Sequence, residues 1–330
     1  MKNPIIKYLE KNQFITALVL ILVGYFLVQI QGILLALFTS YIIMATLSPL
    51  VDFLIRYKIP RTLAVLLSFF LVIALLLLLI IPLVPFFIAQ IQSLLAFFPQ
   101  YVNQAVKILG VQVTSQAQSL ISSELASLGS NAFSVTQQVF GGMLSLLMVL
   151  AVSFYLLIDM ANIKRSITNL FPTSYHSRVE RILTQIEDKL GAWLRGQILL
   201  SISIAFLTWV ALTIIGLKFA LPLALIAGIL EIVPAIGPIL SAIPGVIFAL
   251  NQSPNTTIIV ILAYVVVQVT ENNILVPRIM ERAVGLNPIV IILGIIIAGN
   301  LLGFAGALLA VPFMSMLVIL FKNLRNSSKR

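Results

Sequence analysis

The amino-acid sequence predicts an all-α, polytopic membrane protein, and three observations carry that prediction. Hydrophobic residues fill 61% of the 330 positions and charged residues only 9%, a balance far from that of a soluble globular chain. Apolar runs such as 63–81 and 197–215 supply about the 20 residues needed to cross roughly 30 Å of hydrocarbon. Two further apolar blocks, 221–250 and 286–320, are broken in their middles by proline, glycine and asparagine. Neither can hold two crossings, because each half falls short of the ~20 residues one crossing takes. The expected architecture is eight hydrophobic blocks: about six full transmembrane helices plus two inverted re-entrant or broken helical hairpins.

The elements follow in order. Residues 1–90 form an N-terminal transmembrane scaffold with spans at 14–30 and 33–50, joined by the tight connection 29–32, and a longer span at 62–90. Lys2, Lys7 and Lys11 before the first apolar run resemble a signal peptide, but no small-residue cleavage site follows, so an uncleaved span is expected. Residues 91–140 carry Gln, Ser and Asn among amphipathic patches (Leu120, Ile121, Leu125, Leu128) and read as an extracytoplasmic helical segment. A crossing at 141–158 leads to a cytoplasmic amphipathic region at 159–196. There Val179, Ile182, Leu183, Ile186, Leu190 and Trp193 share one helix face, with Ser174 as a candidate cap. A transport region at 197–320 and a basic cytoplasmic tail at 321–330 complete the chain.

Charge orients the bundle. With the N-terminus inside and both broken blocks returning to their side of entry, all of the 20 lysines and arginines except Lys107 and Lys218 lie in cytoplasmic segments. If each block crosses once instead, Arg278 and Arg282 also move outside. The positive-inside rule prefers the two hairpins by that margin, with the kinked-span alternative still open. Both termini are then cytoplasmic. The formal charge of +10 is absorbed by this orientation, so nucleic acid is not an expected partner.

Of the ten acidic residues, only Glu231 and Glu271 fall in membrane-embedded stretches, and no lysine or arginine sits at the centre of a span. A carboxylate at that depth is costly and marks a solute or ion pathway by default. Proton or cation coupling is one reading. The other has Glu231 capping backbone N–H groups at the break and Glu271 pairing with Arg278 or Arg195. Gln268, Asn272, Asn273 and Asn300 are candidates to line the same path, since amides both donate and accept hydrogen bonds, or else to bond neighbouring helices. Pro234, Gly237 and Pro238 at the first break, and Gly299 and Gly303 at the second, are expected to shape the turns. Arg195, Gln197 and Arg278 are expected as a cytoplasmic gate or anchor. The single histidine, His176, has no assigned role, and Asp159 is expected to meet water or Lys164.

The absence of cysteine removes disulfides and thiolate chemistry. No His-Glu-x-x-His, Gly-x-Ser-x-Gly or phosphate-binding Gly-x-x-x-x-Gly-Lys motif occurs, so neither an enzyme nor an ATP-driven pump is expected. No metal site or cofactor is indicated.

Several motifs, in this order, resemble the autoinducer-2 exporter family of bacterial permeases. They are Gly191-Ala192-Trp193-Leu194-Arg195-Gly196-Gln197, Glu231-Ile232-Val233-Pro234-Ala235-Ile236-Gly237-Pro238 and Glu271-Asn272-Asn273-Ile274-Leu275-Val276-Pro277-Arg278. Val284-Gly285-Leu286-Asn287-Pro288 and Gly303-Phe304-Ala305-Gly306 through Pro312 continue the pattern. The resemblance implies export of a small hydrophilic signal such as autoinducer-2 across the bacterial inner membrane. It also implies a homo-oligomer, with a pentamer expected, and an elevator-like movement of the hairpin region. Other members resemble cation/proton antiporters, with a proton or Na⁺ as partner. The rivals from another class are a passive channel, which cannot concentrate solute, and a membrane scaffold, which passes none.

Overall fold

A computed structural model describes residues 13–75, 77–78, 132–234, 236–280 and 287–325. The expectations for the basic N-terminal segment, for 79–90 of the third span, for 91–131, for Arg282 and residues 284–286, and for the end of the tail lie outside these residues. Among the described residues every regular element is helical: α1 Gln13–Gln29, α2 Gln31–Arg56, α3 Arg61–Leu75, α4 Ala132–Asn169, α5 His176–Ile215, α6 Ala220–Leu230, α7 Ile236–Leu250, α8 Pro254–Thr270, a π-turn at Glu271–Leu275, α9 Val276–Met280 and α10 Pro288–Arg325. The predicted all-α, multi-pass fold is what the chain adopts.

Large apolar side chains such as Phe70, Leu144, Met148, Ile202, Phe206 and Ile214 are exposed around the bundle. In water that surface would be untenable; against lipid tails it is the expected finish. The joint between α1 and α2 is narrower than the sequence suggests. It is a single residue, Ile30, across which Ile30 N–H still bonds Phe26 O and Leu34 N–H bonds Ile30 O.

The bundle is organised along α2 and α5. One face of α2 (Met44, Leu47, Val51) packs with α3 and α4, where Ala64, Val65, Phe69, Leu150 and Leu157 close a core. The other face (Ile42, Ala45) joins α5, the hairpin residues Ala227 and Val233, and α10. The amphipathic segment and the following crossing are one continuous helix of 40 residues, about 60 Å long at 1.5 Å per residue. A single buried stripe (Ile186, Leu190, Trp193, Gln197, Leu200, Ile204, Thr208, Leu212) runs its length. Only the outer face changes, from charged side chains before Gly196 to Ile198, Leu199, Ile202 and Phe206 after it. Ser174 does not cap this helix: it sits in a short 3₁₀ turn at Thr173–Tyr175, and Tyr175 holds the N-cap position without a side-chain bond.

Both broken blocks reverse direction. In the first, α6 and α7 hold 11 and 15 residues, roughly 16 and 22 Å, and fold back so that the Phe219 and Phe248 rings meet at a tilt, their centroids 5.2 Å apart. In the second, α10 bends at Gly303, whose φ of 64° and ψ of −152° suit glycine alone. Gly294 then lies against Met314 and Gly306 against Ala298, while Ala307 Cβ lies 3.5 Å from where a Gly299 side chain would begin. Those pairings converge on residue 303, which makes the two halves antiparallel. The helical run Pro254–Met280, 27 residues long, lies between the two hairpins in the chain.

Candidate functional site

The first break is built by what its residues lack. Pro234 has no N–H to donate, so the helix cannot continue through it. The chain turns through Glu231–Pro234, with Val233 N–H on Leu230 O and Gly237 N–H on Val233 O. Gly237 is buried, and a side chain there would drive into the Leu230 carbonyl. Pro238 falls in the first turn of α7, where a missing N–H costs nothing. The loosened carbonyl of Glu231 is taken by Gln197, whose Nε2 donates to it at 2.7 Å. Gln197 is 1% exposed, so α5 directly fastens the break.

Glu231 is also only 1% exposed, and neither carboxylate oxygen has a hydrogen-bond partner. A buried carboxylate left bare in this way is rare and needs a reason. Glu271, 6% exposed, is near enough for the two acidic groups to interact electrostatically, and Gln268 hydrogen-bonds its side chain from one turn earlier.

Glu271 opens the π-turn, and Pro277 accounts for that turn. A proline inside a regular helix removes a hydrogen bond and clashes with the carbonyl four residues back. Here one extra residue is accommodated, so Val276 N–H reaches Glu271 O, five positions away.

A cavity of about 180 Å³ lies between α5, α7 and α8. Thr208, Ser241, Tyr264, Gln268 and Glu271 give it polar edges, and Ile204, Ala227 and Pro238 are among its apolar walls. The Thr208 hydroxyl is buried without a partner. Gly245 makes room for the Tyr264 ring, which would collide with any side chain there.

The structure therefore brings Glu231, Glu271, Gln268 and Gln197 together with Pro234, Gly237 and Pro238. None of the three asparagines lines the cavity. Asn272 is exposed, Asn273 Nδ2 bonds Val269 O at 2.9 Å, and Asn300 Nδ2 bonds Ile296 O at 2.8 Å near the second tip. Gly299 and Gly303 belong to that tip as well. Arg278 is exposed on α9. Arg195 reaches α2, its Nη1 donating to Ala45 O at 3.2 Å and Thr46 O at 3.0 Å, and Lys164 pairs with Glu187. Asp159, exposed to its surroundings, accepts from Asn162 at 2.7 Å and leaves Lys164 to Glu187.

Sequence reasoning missed Thr208, Ser241 as a cavity residue, and Tyr264. Hydroxyls on apolar helices usually bond their own preceding turn, as Ser153, Thr270 and Ser241 itself do here. Nothing in the sequence marks Thr208, whose hydroxyl does not, or says which hydroxyls face a cavity.

Helices of spanning length, paired half-helices and carboxylates enclosed between them place the chain among multi-pass membrane transport proteins. It belongs to the AI-2E transporter family: the model described as "AI-2E family transporter" matches residues 14–326. The chain is 30% identical over 291 residues to YueF of Bacillus subtilis (strain 168), covering 82% of this chain and 79% of that one. It is 29% identical over 294 residues to the AI-2 transport protein TqsA of Escherichia coli (strain K12), covering 84% and 81%. A shorter match to YrrI of Bacillus subtilis (strain 168) is 31% identical over 167 residues, 51% and 47% of the two chains. The family is one of transporters and permeases, not of enzymes.

Proposed function

We propose that this protein is a secondary transporter that exports a small hydrophilic molecule of the autoinducer-2 kind, driven by a proton or cation gradient. The observation that carries the reading is Glu231, wholly buried with both oxygens unpartnered, beside Glu271 at a break in the helical backbone. A bare carboxylate in that setting is suited to taking up and releasing a small cation as the site changes access. The likeness to TqsA, an AI-2 transport protein by name, supports the solute class. The cavity of about 180 Å³ lies below the ~300–1,000 Å³ of drug-sized pockets and suits a cargo of few heavy atoms.

Both hairpins act as re-entrant loops that enter from opposite faces of a bacterial inner membrane, with the two chain termini in the cytoplasm. α6 and α7 are each too short for the ~30 Å hydrocarbon layer, which supports this. The protein works as a homo-oligomer, a pentamer by the family resemblance. A second reading, cation/proton antiport, is favoured by the two adjacent carboxyl groups without a basic partner among the described residues.

The test is flux in proteoliposomes. A gradient of protons or Na⁺ drives autoinducer-2 or the counter-ion in the unaltered protein, and Glu231→Gln and Glu271→Gln each abolish the gradient dependence. Flux that remains gradient-driven in both folded variants sinks the coupling role. Passive flux faster than any carrier turnover makes the protein a channel.

A further inference from the structure

A second chamber, of about 600 Å³, opens at the charged end of the bundle between α2, α3, α4 and α5. It is separate from the cavity beside Glu271, sharing no residue with it. Its walls are sorted by charge. Arg61 and Lys164-Arg165 come from α3 and α4, whereas Glu180, Glu187 and Asp188 come from α5, joined by Asp52 of α2. Opposite charges facing one another across a narrow gap normally zip together. Here a single ion pair, Lys164 with Glu187, crosses the gap among the described residues. It leaves two guanidinium groups and three carboxylates on the lining.

The walls are held in place from behind. Arg61 Nη2 donates to Leu157 O at 3.1 Å, fixing one guanidinium against α4. His176 Nε2 meets Phe171 O at 3.0 Å, fastening the turn from which α5 departs. A volume of 600 Å³ falls inside the ~300–1,000 Å³ range of small-molecule sites.

We propose that this chamber binds a small zwitterion. Its anionic end lies on Arg61 and Arg165, and its ammonium end lies between Glu180 and Asp188. A singly charged molecule satisfies one wall and leaves the other facing it with like charge, so the discrimination is built into the layout. The chemistry is shared by free amino-acid-like solutes and by an ethanolamine phospholipid headgroup, and the site's position at the charged end admits either.

The test is calorimetric titration of the full chain in phosphatidylglycerol nanodiscs, which contain no zwitterionic lipid. The probes are γ-aminobutyrate, its halves butyrate and n-butylamine, and glycerophosphoethanolamine. At least one zwitterion binds more than about tenfold tighter than either half. Preference for γ-aminobutyrate identifies a soluble ligand, and binding of glycerophosphoethanolamine alone identifies a lipid headgroup. Arg165→Gln and Asp188→Asn, both on exposed side chains, each weaken that binding about tenfold, and Glu271→Gln leaves it intact. Zwitterions that bind no better than their halves, or binding unchanged in both chamber variants, overturn the proposal.

Discussion

At the residue scale, the contact between α2 and α5 shows how one missing atom sets its neighbours. Pro49 lies inside α2 and has no N–H, so the carbonyl of Ala45 four residues back has no helical partner. Arg195 supplies it, together with the carbonyl of Thr46. Gly191 lets this happen, since a side chain there would strike the Ala45 carbonyl and Arg195 Nη1. Arg195→Ala is expected to cost about 1–3 kcal/mol through carbonyls left bare. Pro49→Ala restores a donor to Ala45, so the loss from Arg195→Ala shrinks in that background. A double-mutant cycle by thermal unfolding measures the coupling; strict additivity refutes the link. Gln197→Leu should likewise destabilise by ~1–3 kcal/mol, since it strips the Glu231 carbonyl of its buried donor.

At the scale of elements, two special backbones can be separated from ordinary packing. Gly303 holds a conformation closed to L-residues, so Gly303→Ala should cost ~1–3 kcal/mol. Gly299→Ala, four residues earlier, meets Ala307 Cβ at an ordinary 3.5 Å and should be nearly silent. Equal melting temperatures for the two variants would contradict the hairpin turn. The π-turn is tied to Pro277, and Pro277→Ala allows a regular helix through 271–275. Removing the extra residue rotates Glu271 by about 100° relative to α9, so gradient-driven flux falls while folding persists. Unchanged flux in a folded Pro277→Ala protein would show that the π-turn does not set the site. The chain contains no cysteine, so single thiols at Ser253 and Arg278 report the sidedness of α8 directly. Re-entrant hairpins place Ser253 outside and Arg278 inside, and the kinked-span alternative reverses both.

At the scale of the whole molecule, α3 and α4 pack on one face of α2, and the two hairpins gather on α5, with α10 also meeting the other face of α2. Much of this was legible in advance. Apolar run length gave the spanning helices, the 3- and 4-residue spacing gave the inner face of α5, and prolines and glycines marked both breaks. Glu231 and Glu271 stood out because ionised groups are rare at such depth. The asparagines were harder to read, because an amide on a helix can turn outward and bond its own backbone, as Asn273 and Asn300 do. The charged chamber was invisible for another reason. Its lining comes from four helices and more than a hundred intervening positions, and Lys164 could equally have met Asp159 next to it.

What the sequence determined by itself is the class of molecule and the elements it is cut into, because hydrophobic length and proline position act locally. The tertiary structure alone decided which polar groups stay unpaired. Glu231 is bare, Gln197 is committed to a carbonyl, and Thr208, Ser241 and Tyr264 meet across a cavity only once α5, α7 and α8 have packed. Satisfaction of a buried polar atom depends on every neighbour that folding delivers to it, and no single segment specifies that set.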